Sequence, residues 1–537
     1  MSFHYKIATS EREFEQIHRL NYQTFVEEIP QHSINEEEQL IDRFHHDNTY
    51  IICIHKNEVI GMIAVRDKRP FSLDEKIPNL NTYLPKEASN ICEIRLLTIV
   101  PKYRNGRVLV GLIKCLYRYI KHHYDMAVIS GITKEVELYK QMGFVPFASV
   151  VGTEAASYQP MYLTAESFKQ SAGGRLLTKD ISFLPGPVEM EDAVQAALHT
   201  TPISHRSTTF MHKVQKVKQT LASMTHTTHV QIMQGSGTLA NDAVAMQLTL
   251  LSGRGMILSN GEFGKRLQEH ATRAGLQFDV IEAPFGEPYC YESIKQAVHE
   301  HSYSWLWFVH CETSTGILND LETLTALCKE QSIHLCADCI STLGAIPLNL
   351  KDVYLATGVS GKAIGSYTGL AFVFYNHTIL PNKTIPRYLD VGMYESYESV
   401  PYTHSSVLVE ALTAALRKYE TPDIFTCIQE RYDIIRTELE NMGVHILASK
   451  KHASPVIMTL VLDERYSSKE IGDYMTLQGY IVHYHNPYLL ESNWIQIATI
   501  GELHQRDIKN MLKAFRVALS FADKPKEGTN SIYTVSL

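Results

Sequence analysis

Three things are scarce in this 537-residue chain: blocks of one charge, long unbroken apolar runs and paired cysteine motifs. Lys and Arg number 50 against 58 Asp and Glu, a net charge of -8 with no basic block. That balance excludes a bulk nucleic-acid binder. The longest apolar stretch, 353–375, is broken by Ser, Lys, Thr and several Gly, so no membrane span is expected. Cysteines number 9, an odd count, and most sit in apolar segments. Cys336 and Cys339 form a C-x-x-C without a second pair or a suitably spaced His pair, so no metal site is expected. The opening MSFHYKIATSEREFEQ lacks a basic segment followed by an apolar one, and free thiols in a cytoplasmic protein are the expectation. What is present is apolar material, 45% of residues beside 20% charged, enough for packed cores. At roughly 150 residues per domain, the length predicts two to four domains.

Two halves read differently. Residues 1–165 hold a helix-like opening, several strands and a helix leading into a last strand. The segment 166–180 is polar with a Gly pair and reads as a linker. Short apolar runs then alternate with helical patterns: HVQIMQ, GMILSN, FDVIEA, WLWFVH, IHLCAD and LAFVFY. This alternation predicts a mostly parallel α/β sheet buried on both faces. The expected parts are a large subdomain over 181–425, a small α+β subdomain over 426–525 and a flexible tail over 526–537.

The second half carries the chemistry. Leu184-Pro-Gly-Pro-Val188, Gln234-Gly-Ser-Gly-Thr238, His310-Cys-Glu-Thr-Ser-Thr-Gly316, Ala337-Asp-Cys-Ile-Ser341 and Ser360-Gly-Lys-Ala-Ile-Gly365 follow in order. A G-S-G-T turn between strand and helix offers backbone N–H groups, hydroxyls and a helix N-terminus to a phosphate. Read alone, it is equally an ordinary turn with a Thr cap. Asp338 ends an apolar run, where α/β sheets bind ligands, or else caps a helix.

Together the five segments resemble class V, fold-type I aminotransferases dependent on pyridoxal phosphate, above all 2-aminoethylphosphonate–pyruvate and alanine–glyoxylate aminotransferases. The resemblance implies that Ser236, Gly237 and Thr238 cradle the cofactor phosphate, with Ser341 nearby. It implies that Asp338 keeps the pyridine nitrogen protonated and that Lys362 holds the cofactor covalently as a Schiff base. Thr313 would bond near the phenolic oxygen and Phe263 would stack on the ring, unless Phe263 is a plain core aromatic. Tyr402 and Thr403 match a segment that reaches the phosphate of a neighbouring subunit, implying a homodimer. One position departs. Relatives place an acid-binding Arg in a late strand, and here that strand is Ile495-Gln-Ile-Ala-Thr-Ile-Gly-Glu502, with Gln496 at the Arg position. A neutral amide cannot supply a bidentate cationic clamp, so Arg206 is the candidate replacement for binding substrate beside Gln496. Alternatively, the cofactor runs decarboxylase, lyase or condensing chemistry.

The first half resembles the GNAT acyltransferase fold, in the branch of acyl-homoserine-lactone synthases and N-acyl amino acid synthases. The resemblance rests on Val59-Ile-Gly-Met-Ile-Ala-Val-Arg66, on Cys92-Glu-Ile-Arg95 and on Arg104-Asn-Gly-Arg-Val-Leu109 ahead of a long helix. It implies an acyl-CoA or acyl carrier protein donor, with Arg104 toward the donor. Both glycine positions of the usual phosphate loop carry larger side chains, Arg107 and Leu109. Glu93 is the candidate base, or a structural partner of Arg95 or of a His. Tyr139 is the candidate acid for the leaving thiolate, or a packed helix Tyr.

The expected function is a bifunctional biosynthetic enzyme. Aminotransferase-type chemistry on an amine or amino acid with a keto acid partner would be coupled to N-acylation from an acyl thioester. The alternatives are a plain aminotransferase with a non-catalytic regulatory first domain and other pyridoxal phosphate chemistry.

Overall fold

The computed structural model describes residues 3–29, 32–85, 88–153, 156–421 and 423–522. The tail expected over 526–537 lies outside them. The chain forms two compact units. The first is Met1–Asp180 together with Glu470–Tyr480, and the second is Ile181–Lys469 with Ile481–Leu537.

The first unit is built on an eight-stranded sheet. Its strands are β1 (His4–Ile7), β2 (Asn48–His55), β3 (Glu58–Arg66), β4 (Ile91–Ile99), β5 (Met126–Ile132), β6 (Val145–Pro146), β7 (Val151–Thr153) and β8 (Ala156–Thr164). They lie in the order β1-β2-β3-β4-β5-β8-β6, with β7 on β8. The helices α1 (Glu11–Tyr22), α2 (Arg107–His123), α3 (Val136–Gln141) and α4 (Ala165–Gln170) accompany them, as does most of a helix over Ser468–Gln478. Val108, Leu112, Leu116 and Ile120 recur at helical spacing on α2 and are buried in this unit's core, which explains the length of that helix.

β4 and β5 are the parallel pair, and they pair only over Ile91–Glu93 and Met126–Val128. Beyond that point β4 continues on β3 alone and β5 on β8. Leu96 has φ +53°, and the β3–β4 register shifts between Met62 and Ala64. The β4–β5 pairing thus ends shortly before this irregularity in β4.

The segment 166–180, expected as a linker, instead packs within the first unit. Its Phe168 is 1% exposed and stacks on Tyr117 with ring centroids 4.5 Å apart. Asp180 accepts from Arg118 Nε at 2.9 Å and Lys121 Nζ at 3.1 Å. Composition alone read this stretch as polar, but one aromatic and one acid were enough to anchor it. The segment 470–480 was not expected here either. Leu477 is buried in the first core, and its carbonyl accepts from Arg118 at 3.0 Å.

The second unit holds a seven-stranded sheet of β9 (His229–Gln234), β10 (Gly255–Ser259), β11 (Phe278–Glu282), β12 (Trp305–Val309), β13 (His334–Asp338), β14 (Leu355–Val359) and β15 (Leu370–Tyr375). All six quoted apolar runs are strands of it. The order is β9-β15-β14-β13-β12-β10-β11, parallel throughout except where β15 runs antiparallel to both neighbours. Trp305–Val309 and Leu370–Tyr375 are buried along their whole length, as a sheet covered on both faces requires. The stretch 353–375 supplies β14 and β15, with Lys362 in the loop between them. Helices α5 (Gly237–Leu248) and α6 (Glu262–Arg273) follow β9 and β10. A three-stranded sheet of β16 (His445–Ile446), β17 (Ile457–Val461) and β18 (Trp494–Ala498) carries Gln496.

Candidate active sites

In a parallel sheet the strands' C-terminal ends share one edge, where ligands gather. Gln234, Ser259, Val309, Asp338 and Val359 end their strands on that edge of the second unit. Asp338 is fully enclosed, and burial pushes its carboxyl above the ordinary range. Asn241, in the second turn of α5, donates to Asp338 Oδ2 at 2.9 Å and accepts from the Thr357 hydroxyl at 2.9 Å. The Ile340 N–H holds the other oxygen at 3.0 Å. Lys362 is half-buried, and desolvation lowers its pKa against the pull of Cys311 and Asp338. The lysine is thereby shifted toward the neutral, nucleophilic amine.

The N-terminus of α5 fits a phosphate. Ser236 is the N-cap but makes no side-chain capping bond. A Cβ at position 237 would stand 2.5 Å from Ile340 Cδ1, so a larger residue there would have to displace that methyl from beside the turn. The hydroxyl groups of Ser236, Thr238, Thr313, Ser341 and Thr403 have no hydrogen bond to any described residue. A phosphorylated pyridine aldehyde would find a helix N-terminus for its phosphate, a buried carboxylate for its ring nitrogen and a desolvated lysine for its aldehyde. Phe263 begins α6, in the first turn. Its N–H and that of Gly264 donate to the Glu312 carboxylate at 3.0 Å each, and the Glu262 N–H donates to the Ser314 hydroxyl at 3.1 Å.

Two expected substrate-binding residues are engaged inside the fold. Gln496 Nε2 donates to the carbonyls of Thr313 and Ser314 at 2.7 and 3.0 Å and to the Thr459 hydroxyl at 2.9 Å. Its Oε1 accepts from His483 Nδ1 at 2.8 Å and from the Tyr488 hydroxyl at 3.3 Å. Arg206 donates to the carbonyls of Val400 and Pro401 at 2.9 and 3.4 Å. That bond set braces the segment carrying Tyr402, whose own hydroxyl goes to the Arg387 carbonyl at 2.6 Å.

The first unit treats its candidates differently. Glu93 is 0% exposed and accepts from the Ser72 N–H at 2.8 Å, the Ser72 hydroxyl at 2.6 Å and the Leu73 N–H at 3.0 Å. Arg95 Nε stands 3.5 Å from it while the guanidinium forks onto Asp42 at 2.8 and 3.1 Å. Arg104 donates to the Ile99 carbonyl at 2.8 Å and pairs with Glu28. Tyr139 packs edge-on to Phe144 and against Gly131, and burial raises its pKa. The three candidates are not joined by any hydrogen bond among the described residues.

Motif reading passed over Asn241, Glu312 and Arg266. Asn241 had a signal, a polar residue within the apolar helix TLANDAVAM, and Glu312 lay inside a quoted motif. Arg266 stood three residues after Phe263.

Residues 190–467 match the sequence model of the aminotransferase class-V family, and residues 16–165 match that of the N-acyl amino acid synthase FeeM. Among curated relatives is a 2-aminoethylphosphonate–pyruvate transaminase of Phocaeicola vulgatus, 22% identical over 352 residues, covering 62% of this chain and 97% of the relative. Another of that description, from Pseudomonas entomophila, is 28% identical over 274 residues, 48% of this chain and 74% of its own length. Among solved structures, an alanine–glyoxylate aminotransferase from Nostoc sp. superimposes with TM-score 0.59 at 24% identity, covering 64% of this chain and 96% of the other. A pyridoxamine–pyruvate aminotransferase from Mesorhizobium loti gives TM-score 0.60 at 20% identity, covering 65% and 94%. These structures share the second unit's fold. No helix among the described residues is long and apolar enough to cross a membrane. With just over half of its length on that first sequence model and an acyltransferase-like unit ahead of it, the chain belongs to the class-V aminotransferases, pyridoxal phosphate-dependent transferases.

Proposed function

We propose that this is a bifunctional biosynthetic enzyme. The second unit moves an amino group between an amine and a keto acid, and the first unit acylates an amine nitrogen from an acyl-CoA or acyl carrier protein. The observation that carries the reading is Lys362, a desolvated amine in the loop between β14 and β15, in the electrostatic field of the buried Asp338.

Bound pyridoxal phosphate supplies an electron sink for the pair left on the substrate carbon when it loses a proton. Asp338 would hold a proton at the ring nitrogen, and Asn241 keeps that carboxylate oriented. Lys362 Nζ would hold the aldehyde, and the same amine, shifted toward its neutral form, would be the group placed to take and return the proton of the substrate carbon. Phe263 would cover the ring on one face. Tyr402 and Thr403 would reach the cofactor phosphate of a second subunit in a homodimer, and the proposed compartment is the cytoplasm. Tethering the units raises the local concentration of a shared amine.

The engagement of Glu93 and Arg104 favours a second reading, in which the first unit binds acyl ligands without turnover. Purified protein given pyridoxal phosphate, mixed amines, keto acids and acyl thioesters should yield both exchanged amines and N-acylated products by mass spectrometry. Amine exchange without acyl products from either donor selects the second reading. Absence of any spectral response to amines or amino acids sinks both.

A further inference from the structure

An acid-bearing substrate of the second unit needs a cation near Lys362, and few groups there are free to serve. Gln496 is 1% exposed, and its five bonds occupy both ends of the amide. Arg206 is held by two backbone carbonyls. Lys418 donates to the Ala363 carbonyl at 3.1 Å. Burial and the Lys362 charge both lower the pKa of His483, which favours its neutral form.

Arg266 is different. It follows Phe263 by three residues on α6, so the two share a helix face. Its guanidinium lies 4.9 Å from the centroid of the Phe263 ring. It is exposed and makes no ion pair or hydrogen bond with any described residue. Its charge reaches Lys362, where it opposes protonation. An arginine left free by its neighbours, steadied on an aromatic face and felt by the reacting lysine is a ready partner for an oxyanion.

We propose that Arg266 binds the oxyanion group, carboxylate or phosphonate, of the amino donor and of the oxo acid acceptor. This rests on the transaminase reading above. Anion recognition then sits on α6 beside the cofactor-stacking ring. The β18 position has become scaffold, where Gln496 fixes the two carbonyls at Thr313 and Ser314. The guanidinium fork meets two oxygens at once, and a lysine would meet them only as a point charge.

The test compares full-length wild type with Arg266→Gln and Arg266→Lys. Apoprotein is titrated with pyridoxal phosphate by fluorescence. Loaded protein is then titrated, by absorbance, with 2-aminoethylphosphonate against n-propylamine, and its pyridoxamine form with pyruvate against propanal. Arg266→Gln should raise the half-saturating concentration of the acids about 10–100-fold, the loss expected for a charge-assisted pair. The neutral probes and the cofactor affinity should stay within about twofold, with Arg266→Lys intermediate. Equal shifts for acid and neutral probes, no shift for either, or a wild type blind to the acid group would each overturn the proposal. So would a tenfold loss of cofactor affinity, which would place Arg266 on the cofactor phosphate instead. Failure of wild type to take up pyridoxal phosphate would sink the transaminase reading itself, a result distinct from all of these.

Discussion

The two units use buried acids in opposite ways. In the second, Asp338 is buried among groups that orient it but do not neutralise it, and Lys362 nearby is desolvated. The hydroxyls of Ser236, Thr238, Thr313, Ser341 and Thr403 make no hydrogen bond to any described residue, which leaves capacity for a ligand. In the first, Glu93 receives two N–H groups, a hydroxyl and an arginine from its own unit. A carboxylate with that many internal donors works as a clasp for the 70–74 turn. Burial of a charged group therefore points to chemistry only where its hydrogen-bonding capacity is unfilled.

Lys362→Ala should remove amine exchange by roughly a thousandfold or more, since both the covalent anchor and the proton carrier are lost. Borohydride reduction followed by peptide mass mapping checks it: wild type gains cofactor mass on the peptide holding Lys362 and the variant does not. Asp338→Asn should bind cofactor yet slow exchange by about 100-fold or more, because the ring nitrogen loses its charged partner. Single-turnover absorbance measures this, and wild-type rates would break the contrast drawn here.

Glu93→Gln should destabilise the first unit by about 1–3 kcal/mol, since an amide N–H₂ would face donors already aimed at the carboxylate. Thermal unfolding reports it. Lost acyl transfer at an unchanged melting temperature would instead make Glu93 a catalytic base. Lys418, lowered by burial to about 8 in the fold, should make unfolding free energy climb with pH. Between that value and its ordinary 10.5, the unfolded chain binds the extra proton, so stability rises as pH increases and Lys418→Met flattens the rise. Urea unfolding across that range measures it. Arg104→Ala should shift stability by no more than about 1 kcal/mol, its pair with Glu28 being exposed. A clear rise in the KM for acyl-CoA would move Arg104 from a surface pair to a donor contact.

Much of the second unit was legible because its strands are buried on both faces. Such strands read as unbroken apolar runs, and β14 escaped notice only because the Lys362 loop joined it to β15 within one long stretch. The motif order likewise exposed Ser236, Asp338 and Lys362. The clasp at Glu93 was not legible, because its donors Ser72 and Leu73 lie twenty residues away and carry no motif. The anchoring of 166–180 depended on Phe168 meeting Tyr117, a pairing absent from the local polar composition. Gln496 was visible as a departure, but not what it bonds.

Residue order by itself determined which segments of the second unit form strands, because periodicity and turns are short-range effects, while Lys362 and Asp338 stood out through the order of motifs shared with a family. Only the tertiary structure decided which polar groups remain free. That depends on partners brought together across tens to hundreds of positions, as when β17, β18 and the Thr313 loop close around one glutamine amide while Arg266 on α6 makes no ion pair or hydrogen bond with any described residue.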